Sequence, residues 1–553
     1  MALTKVSYSM INGATFNVLD YGVTGNGSTD DTDAIQALLR TASGNGAVFF
    51  PAGTYMVRTN EVLAGNVLQR GIQIPSNSEL ILDNDAIIQA ITNTDDVYNI
   101  LSIFRTSNVT IRGGTINGDL ASHAGSLTKN GVGLRIQHGT NVTVYDTVFS
   151  NTITDGVSIL YDYQSLSRPN SENVFLYNVS AIDNYRNGVS VIGLDNGGIF
   201  GGKFTGSNLG GIDIEPNGVT AITLTPSEVK NFTVSGVIAS NNNSGIVVYA
   251  NGTSPDQGII NGVSLTDNNL ENNVTSDIYV FQADDVIISN NKTNGGASIG
   301  AICIDSSKKI IVANNDVRNS SSFGIRVLTV TSSRLVDGVT ISGNVIDSSA
   351  GAGLYVDGTF SPFNNIVITD NIITKNGNDG MSLNKMDRGI ISNNVVYDNS
   401  QNTDNSKDNI LLQSCSNSQI SNNNLYRGAG AKQTRYGINI LSLSTDNLVI
   451  DNILYESGKT SSISDAGTRT TVSRNLIGQS ELNGSFTLTA NVSNVRVNTN
   501  ILASSIVTLT PANASAGALD VYISALTSGA SFTVTTSSGS AAAGTEIFYY
   551  SIS

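Results

Sequence analysis

The feature that most restricts this chain is a repeat with a period of a few tens of residues, running from about Asn108 to about Tyr455. One element reads NVTIRGGTI, NVTVYDTVF, NVFLYNVSA, NFTVSGVIA and, further on, GVTISGNVI and NIVITDNII. A second follows each in turn: GVSILY, GVSVIG, GIDIEP, GIVVYA, and later GIRVLT and GLYVDG. Both alternate apolar and polar positions, as half-buried strands do, and turn residues separate them. A single repeat cannot bury its own apolar face, but stacked repeats bury a continuous one. These conditions predict an all-β chain whose body is a right-handed parallel β-helix, with roughly a dozen coils rising ~4.8 Å each.

Composition agrees with a packed β-protein. Hydrophobic residues make up 39% of the 553 residues and charged ones 13%, with 55 Gly, 8 Pro and no Trp, which is not a disordered profile. The net charge of −15 argues against nucleic acid or an anionic membrane as partner, since both need clustered Lys and Arg. It leaves room for an acidic polysaccharide held by local basic residues. MALTKVSYSMING carries no apolar signal core, and no apolar run reaches membrane-spanning length. Two cysteines, Cys303 and Cys415, and two histidines, His123 and His138, give no framework for disulfides or zinc. No metal and no cofactor is expected, and the thiols fit a chain folded in a reducing cytoplasm.

Asn268, Asn291, Asn315, Asn344, Asn371, Asn394 and Asn423 each fall three residues after an inward apolar residue of the first strand. Asparagine tolerates the left-handed region at a corner, and stacked amides can bond to the coils above and below. These residues are scaffold. The solenoid's ends expose strand edges that must be covered. STDDTDAIQALLRTASGNG supplies one helix, capped by Asp30 or Asp31, with a stripe of Ala34, Ile35, Leu38 and Leu39 and a stop at Gly44.

The stretch FNVLDYGVTGNGSTDDTDAIQALL…GAVFFPAGTY, residues 16–55, resembles the opening of the pectate-lyase-like β-helix superfamily. That group includes lyases, glycoside hydrolases, mannuronan C5-epimerases and bacteriophage tailspikes. The preceding ALTKVSYSMINGATFNVLDYG looks like the lead-in of phage tail proteins. From about Gln479 the periodicity changes, and Ser485–Ser553 holds only Arg496, Asp520 and Glu546 as charged side chains. So little charge favours burial against copies of itself. The segment also looks like the terminal modules of tail fibres and tailspikes. The expected organisation is a lead-in (1–15), a cap with first coils (16–107), a parallel β-helix (108–478) and a β-sandwich-like trimerisation module (479–553). The resemblance implies a homotrimer on the virion tail, attached to tail or baseplate proteins through its N-terminus. It would bind and often cleave a bacterial surface polysaccharide, capsule or O-antigen.

Aligning the second strands places two columns of side chains outward. One contains Arg135, Ser158, Ser190, Asp213, Val247, Tyr279, Cys303, Arg326 and Tyr355; the other Gln137, Glu215, Tyr249, Phe281, Asp305 and Asp357. Aromatic faces in such a strip would pack on sugar rings, and carboxylates and arginine would bind hydroxyls. Insertions at 161–172, 217–230 and 251–262 leave the corner after this strand and would wall the strip. Asp213 and Glu215, at i and i+2, have Cα atoms ~6.6 Å apart and point the same way. Carboxyl separations of ~6.5–9.5 Å suit inverting glycoside hydrolysis, and two like charges raise one pKa. Asp305 with Asp357 forms a second candidate pair. Acidic residues on a solenoid are also common solvated decoration, and Asp213 would equally serve to cap a loop or bind a cation. A lyase or epimerase is the rival within enzymes: GGID, laid over the YGFD of mannuronan epimerases, puts Asp213 on their catalytic aspartate. Gly210 then replaces the tyrosine, Ile214 and Glu215 stand where proline and histidine follow, and Tyr249, or Tyr185 with Arg186, would have to substitute. A non-catalytic receptor-binding spike is the third reading.

Overall fold

The computed structural model describes residues 14–59, 70–127, 130–165, 167, 169–219, 226–250, 252, 257–330, 336–477, 483–498, 501, 504–528 and 531–552. Most of the lead-in, parts of all three insertions and the boundary near 479 lie outside these residues. The chain divides into two compact units, residues 1–321 with 330–336 and residues 322–329 with 337–553. Both are built from coils of a right-handed parallel β-helix.

In the first unit a typical coil carries three strands, for example Thr140–Tyr145, Val148–Ser150 and Val157–Leu160. Each pairs in parallel with its counterpart one coil on: Val142 with Val174, Val148 with Ser180, Val157 with Val189. The short middle strand is absent from the two-strand reading of the sequence. It spans three residues and points one side chain inward, too little for a periodic signal. Its inward column, Ile116, Phe149, Ala181, Phe204, Ala239 and Leu270, is buried. The glycine before each third-sheet strand has a steric cause. A Cβ on Gly188 would lie 2.4 Å from the Gly211 carbonyl oxygen, and one on Gly211 2.8 Å from that of Gly245.

The helix spans Thr32–Ala42 and buries Ile35, Leu38 and Leu39. Asp31 occupies the N-cap position but does not cap with its side chain; its carboxylate accepts from the Thr24 and Gly25 amides (2.8 and 3.0 Å). Asp30 accepts from the Thr32 amide instead (3.1 Å). Gly44, at φ +69°, follows the last turn, as the left-handed exit of a helix requires.

The asparagine ladder is present in both units. Asn268 donates its amide to Asn291 Oδ1 (2.9 Å) and Asn291 to Asn315 (3.0 Å) in the first. In the second, Asn344, Asn371, Asn394, Asn423, Asn452 and Asn475 form a series with every link at 2.9 Å. The left-handed residue is not the ladder asparagine but its predecessor: Asp267, Asn290, Asn314, Asp370, Asn393 and Asn422 all have positive φ. That residue turns the corner, and the turn aims the next side chain into the core.

In the second unit, third-sheet strands align Arg326 with Tyr355 and Leu328 with Asp357. Past the coils the pairing becomes antiparallel. Asn483–Thr487 and Val507–Pro511 flank Ile547–Ile552, and Ser493–Val497 and Val521–Thr527 flank Ser531–Thr536. These two sheets share a core of Leu488, Phe532, Val534, Phe548 and Tyr550. Both thiols are buried; Cys303 donates to the Gly300 carbonyl and Cys415 to that of Leu383 (3.2 and 3.3 Å). Among the described residues no helix is long and apolar enough to cross a membrane.

Asn394→Ala tests the ladder. It removes the acceptor of the Asn371 amides and the donor to the Ile368 and Ser392 carbonyls. Stranding buried polar groups costs ~1–3 kcal/mol each, so a loss of about 3–5 kcal/mol is expected from denaturant unfolding.

Candidate active site

Three neighbouring third-sheet strands, Val189–Val191, Gly210–Ile214 and Ser244–Tyr249, form the floor of the site. Their register aligns Ser190, Asp213 and Val247, and continues through Tyr279 and Cys303. Tyr249, Phe281 and Asp305 form the second column. This is the alignment expected from the apolar alternation. Over it lies a pocket of about 220 Å³ lined by Asn187, Leu209, Gly210, Asp213, Glu215, Asn243, Ser244, Val247, Tyr249 and Tyr279. Of the predicted residues, Asp213, Glu215, Tyr249 and Tyr279 therefore meet at one place.

Pointing outward is not the same as being open, and here the structure corrects the sequence reading. Asp213 is only 9% exposed, Asp305 2% and Cys303 0%. Arg135, 6% exposed, lies under the first insertion and donates to the Tyr163 hydroxyl (2.7 Å). Near Asp305 the chain returns at Val330, whose amide donates to Ser306 Oγ (3.0 Å). Excursions and corners thus cover much of a strip that an alternating pattern marks as surface.

The aromatic residues also differ from expectation. Tyr249 and Phe281 stack face to face, centroids 4.6 Å apart, and Tyr279 lies 6.2 Å from Phe281. One strand spacing separates coils, so rings in a column cover each other's faces and offer edges and hydroxyls outward. The Tyr355 ring is covered likewise, by Phe323 at 4.4 Å. Tyr355 donates to Asp357 Oδ2 (3.0 Å), and Asn384 Nδ2 donates to the other oxygen (2.7 Å). Burial and then Asp357 push the Tyr355 phenol up to about 12. Asp357, Arg326 and Tyr355 belong to the second unit and Asp305 to the first. Tyr185 does not line the pocket.

The carboxyl pair has an unusual electrostatic setting. Burial, then Glu215, then Asp155 hold the Asp213 carboxyl well above the usual range; Arg186 and Asn187 pull the other way. Glu215 is also raised, chiefly by burial, with Arg186 opposing and Asp155 assisting. Arg186 forks onto Asp155, Nε to Oδ1 at 2.8 Å and Nη2 to Oδ2 at 2.6 Å. Burial works against that guanidinium, but Asp155 more than offsets it. Asn187, which sequence reasoning missed, takes its orientation from the Gly210 amide, which donates to its Oδ1 (2.7 Å). Its Nδ2 then donates to Asp213 Oδ2 and Ser190 Oγ (both 3.0 Å). A carboxyl held towards its neutral form beside a more open one is the arrangement that supports acid and base roles at one bond.

Two family models match the chain: "Rhamnogalacturonase A/epimerase, pectate lyase-like" over residues 15–74 and "Right handed beta helix region" over residues 220–394 and 301–477. The uncharacterized protein YclG of Bacillus subtilis is 27% identical over 389 residues, covering 66% of this chain and 59% of that one. The chain thus spans less than two thirds of this curated relative. Among solved structures, a mutant tailspike protein of E. coli bacteriophage HK620, in complex with a pentasaccharide, superposes with a TM-score of 0.52 at 12% identity, covering 97% of this chain and 94% of that one. The N-terminal fragment of bacteriophage Phi29 gene product 12 gives 0.53 at 13%, covering 82% and 93%. At such identities the likeness is one of fold. Coil architecture and matched models together show a right-handed parallel β-helix whose opening is similar to the pectate-lyase-like model.

Proposed function

We propose that this chain is a phage tailspike that binds and depolymerises a bacterial surface polysaccharide by glycoside hydrolysis. The observation that carries the reading is the Asp213–Glu215 pair in one pocket, with the Asp213 carboxyl raised the more strongly. Asp213 protonates the leaving oxygen, and Glu215 activates water on the opposite face of the ring. At about 220 Å³ the pocket suits one sugar ring of a chain running past it. Tyr249 and Tyr279 supply hydroxyls and ring edges along the same strip. The fold shared with a tailspike that holds a pentasaccharide supports the substrate class. The charge-poor C-terminal module supports a homotrimer on the virion tail, acting at the bacterial surface, with the N-terminus on tail or baseplate proteins.

Elimination or epimerisation at a uronate fits less well. It needs a cation for the substrate carboxylate and a base of low pKa. Arg186 is engaged by Asp155, and burial and Glu215 raise the Tyr249 phenol. The family model that names an epimerase covers the cap, not the Asp213 coil.

Incubation with host polysaccharide should shorten its chains and release reducing ends without the ultraviolet absorbance of an unsaturated sugar. Asp213→Asn and Glu215→Gln should each slow this by about 10²–10⁴-fold. Binding without shortening would mean a receptor-binding spike, and normal cleavage by both variants would place the chemistry elsewhere. The same substitutions should change stability in a pH-dependent way. Because both folded-state pKa values are raised, the cost of ionising these groups is absent in acid and grows as pH climbs from the unfolded values through the folded ones. Each neutral variant should therefore melt at a higher temperature than the parent near pH 8, with the gain fading towards pH 4; a gain independent of pH would contradict the assignment.

A further inference from the structure

Resting on the reading of Asp213 as an acid, we infer that Asp155 is a positioning residue of the site: it captures the Arg186 guanidinium in the corner beside the pocket and keeps that cation off Asp213. Asp155 sits one coil before Arg186 and two before Asp213, at the corner that opens the strand Val157–Leu160. It is 1% exposed and accepts both arms of the guanidinium as well as the Asn187 amide (3.3 Å). Arg186 is held on its other side by backbone, its amide donating to the Thr154 carbonyl (2.8 Å) and its own carbonyl accepting from Leu209 (2.9 Å). The next residue, Asn187, delivers the neutral amide donor to Asp213. One corner thus sends its charged side chain backward to Asp155 and its neutral one forward to Asp213.

The consequence is electrostatic. An arginine contacting Asp213 would drive it to the carboxylate, and a carboxylate cannot protonate a leaving group. A neutral amide orients the carboxyl without that penalty. The charged groups acting on Asp213 are Glu215 from its own strand and Asp155 and Arg186 from the two preceding corners. On the next coil, Tyr249 follows Val248, the register partner of Ile214, and Glu215 acts on its phenol.

The two members of this ion pair give the test its sign. Removing Asp155 deletes a like charge and releases a cation, and both effects lower the pH at which Asp213 loses its proton. Removing Arg186 deletes only an attraction. A fold-supporting role would make both losses equivalent, since both break the same bridge. The probe is an aryl diazoacetamide, which esterifies protonated carboxyls and not carboxylates, with the Asp213 peptide followed by mass spectrometry from about pH 5 to about pH 8. In the parent protein Asp213 should label near neutrality. Asp155→Asn should move the midpoint down by about one pH unit or more, whereas Arg186→Gln should leave it in place or raise it. Circular dichroism reports whether each variant is folded; should Asp155→Asn fail to fold, Asp155→Ser deletes the same charge. The inference is overturned if Asp155 variants leave the midpoint unchanged, if both substitutions shift it in the same direction, or if Asp213 of the parent remains unlabelled at pH 5. The readout needs no polysaccharide, so its failure is separable from failure of the hydrolase reading, which chain shortening by the same preparations reports.

Discussion

Everything in this molecule depends on parallel strands stacking residue over residue at a single spacing. The backbone bonds between coils impose that spacing, and the ladder of asparagine amides reinforces it at the corners, where each Oδ1 accepts from the side chain and the backbone amide of its neighbour. Once coils are in register, side chains stop being independent and become columns. Asp213 has Ser190 beneath it and Val247 above it because of that constraint. Tyr249 and Phe281 must meet face to face for the same reason.

The same constraint explains what was legible in the sequence. Register was, because a slip of one residue would turn every inward isoleucine outward; the alignment of Ser190, Asp213, Val247 and Tyr279 needs only the alternation around them. The ladder was legible from spacing alone, and its last rungs, Asn452 and Asn475, keep the same three-residue step from Val449 and Val472. The three-residue strands were not legible, since a single inward Phe149 or Phe204 carries no period. Nor was exposure. Whether an outward side chain meets water depends on what other coils lay over it, as Tyr163 does over Arg135. Asn187 was hidden for a related reason: RNG reads as an ordinary corner, and only the third dimension brings it to Asp213.

At the site, a protein with few charged residues gathers several into one corner, and low surrounding polarity amplifies each. Burial is the largest cause of both carboxyl shifts, and neighbouring charges adjust them. Uneven environments within a single coil separate two otherwise similar acids. No special residue type is required, only a difference in cover.

The ladder has one more consequence. Asn371 and Asn394 are 23 residues apart, Asn394 and Asn423 are 29 apart, and the amide bond is 2.9 Å in both cases. Coil length is therefore free to vary while the rungs stay level. A segment of foreign sequence spliced between two rungs changes what the outside of the solenoid presents without asking the inside to refold. Such a chain can diversify at its surface by exchange of whole loops, in steps far larger than point substitution allows.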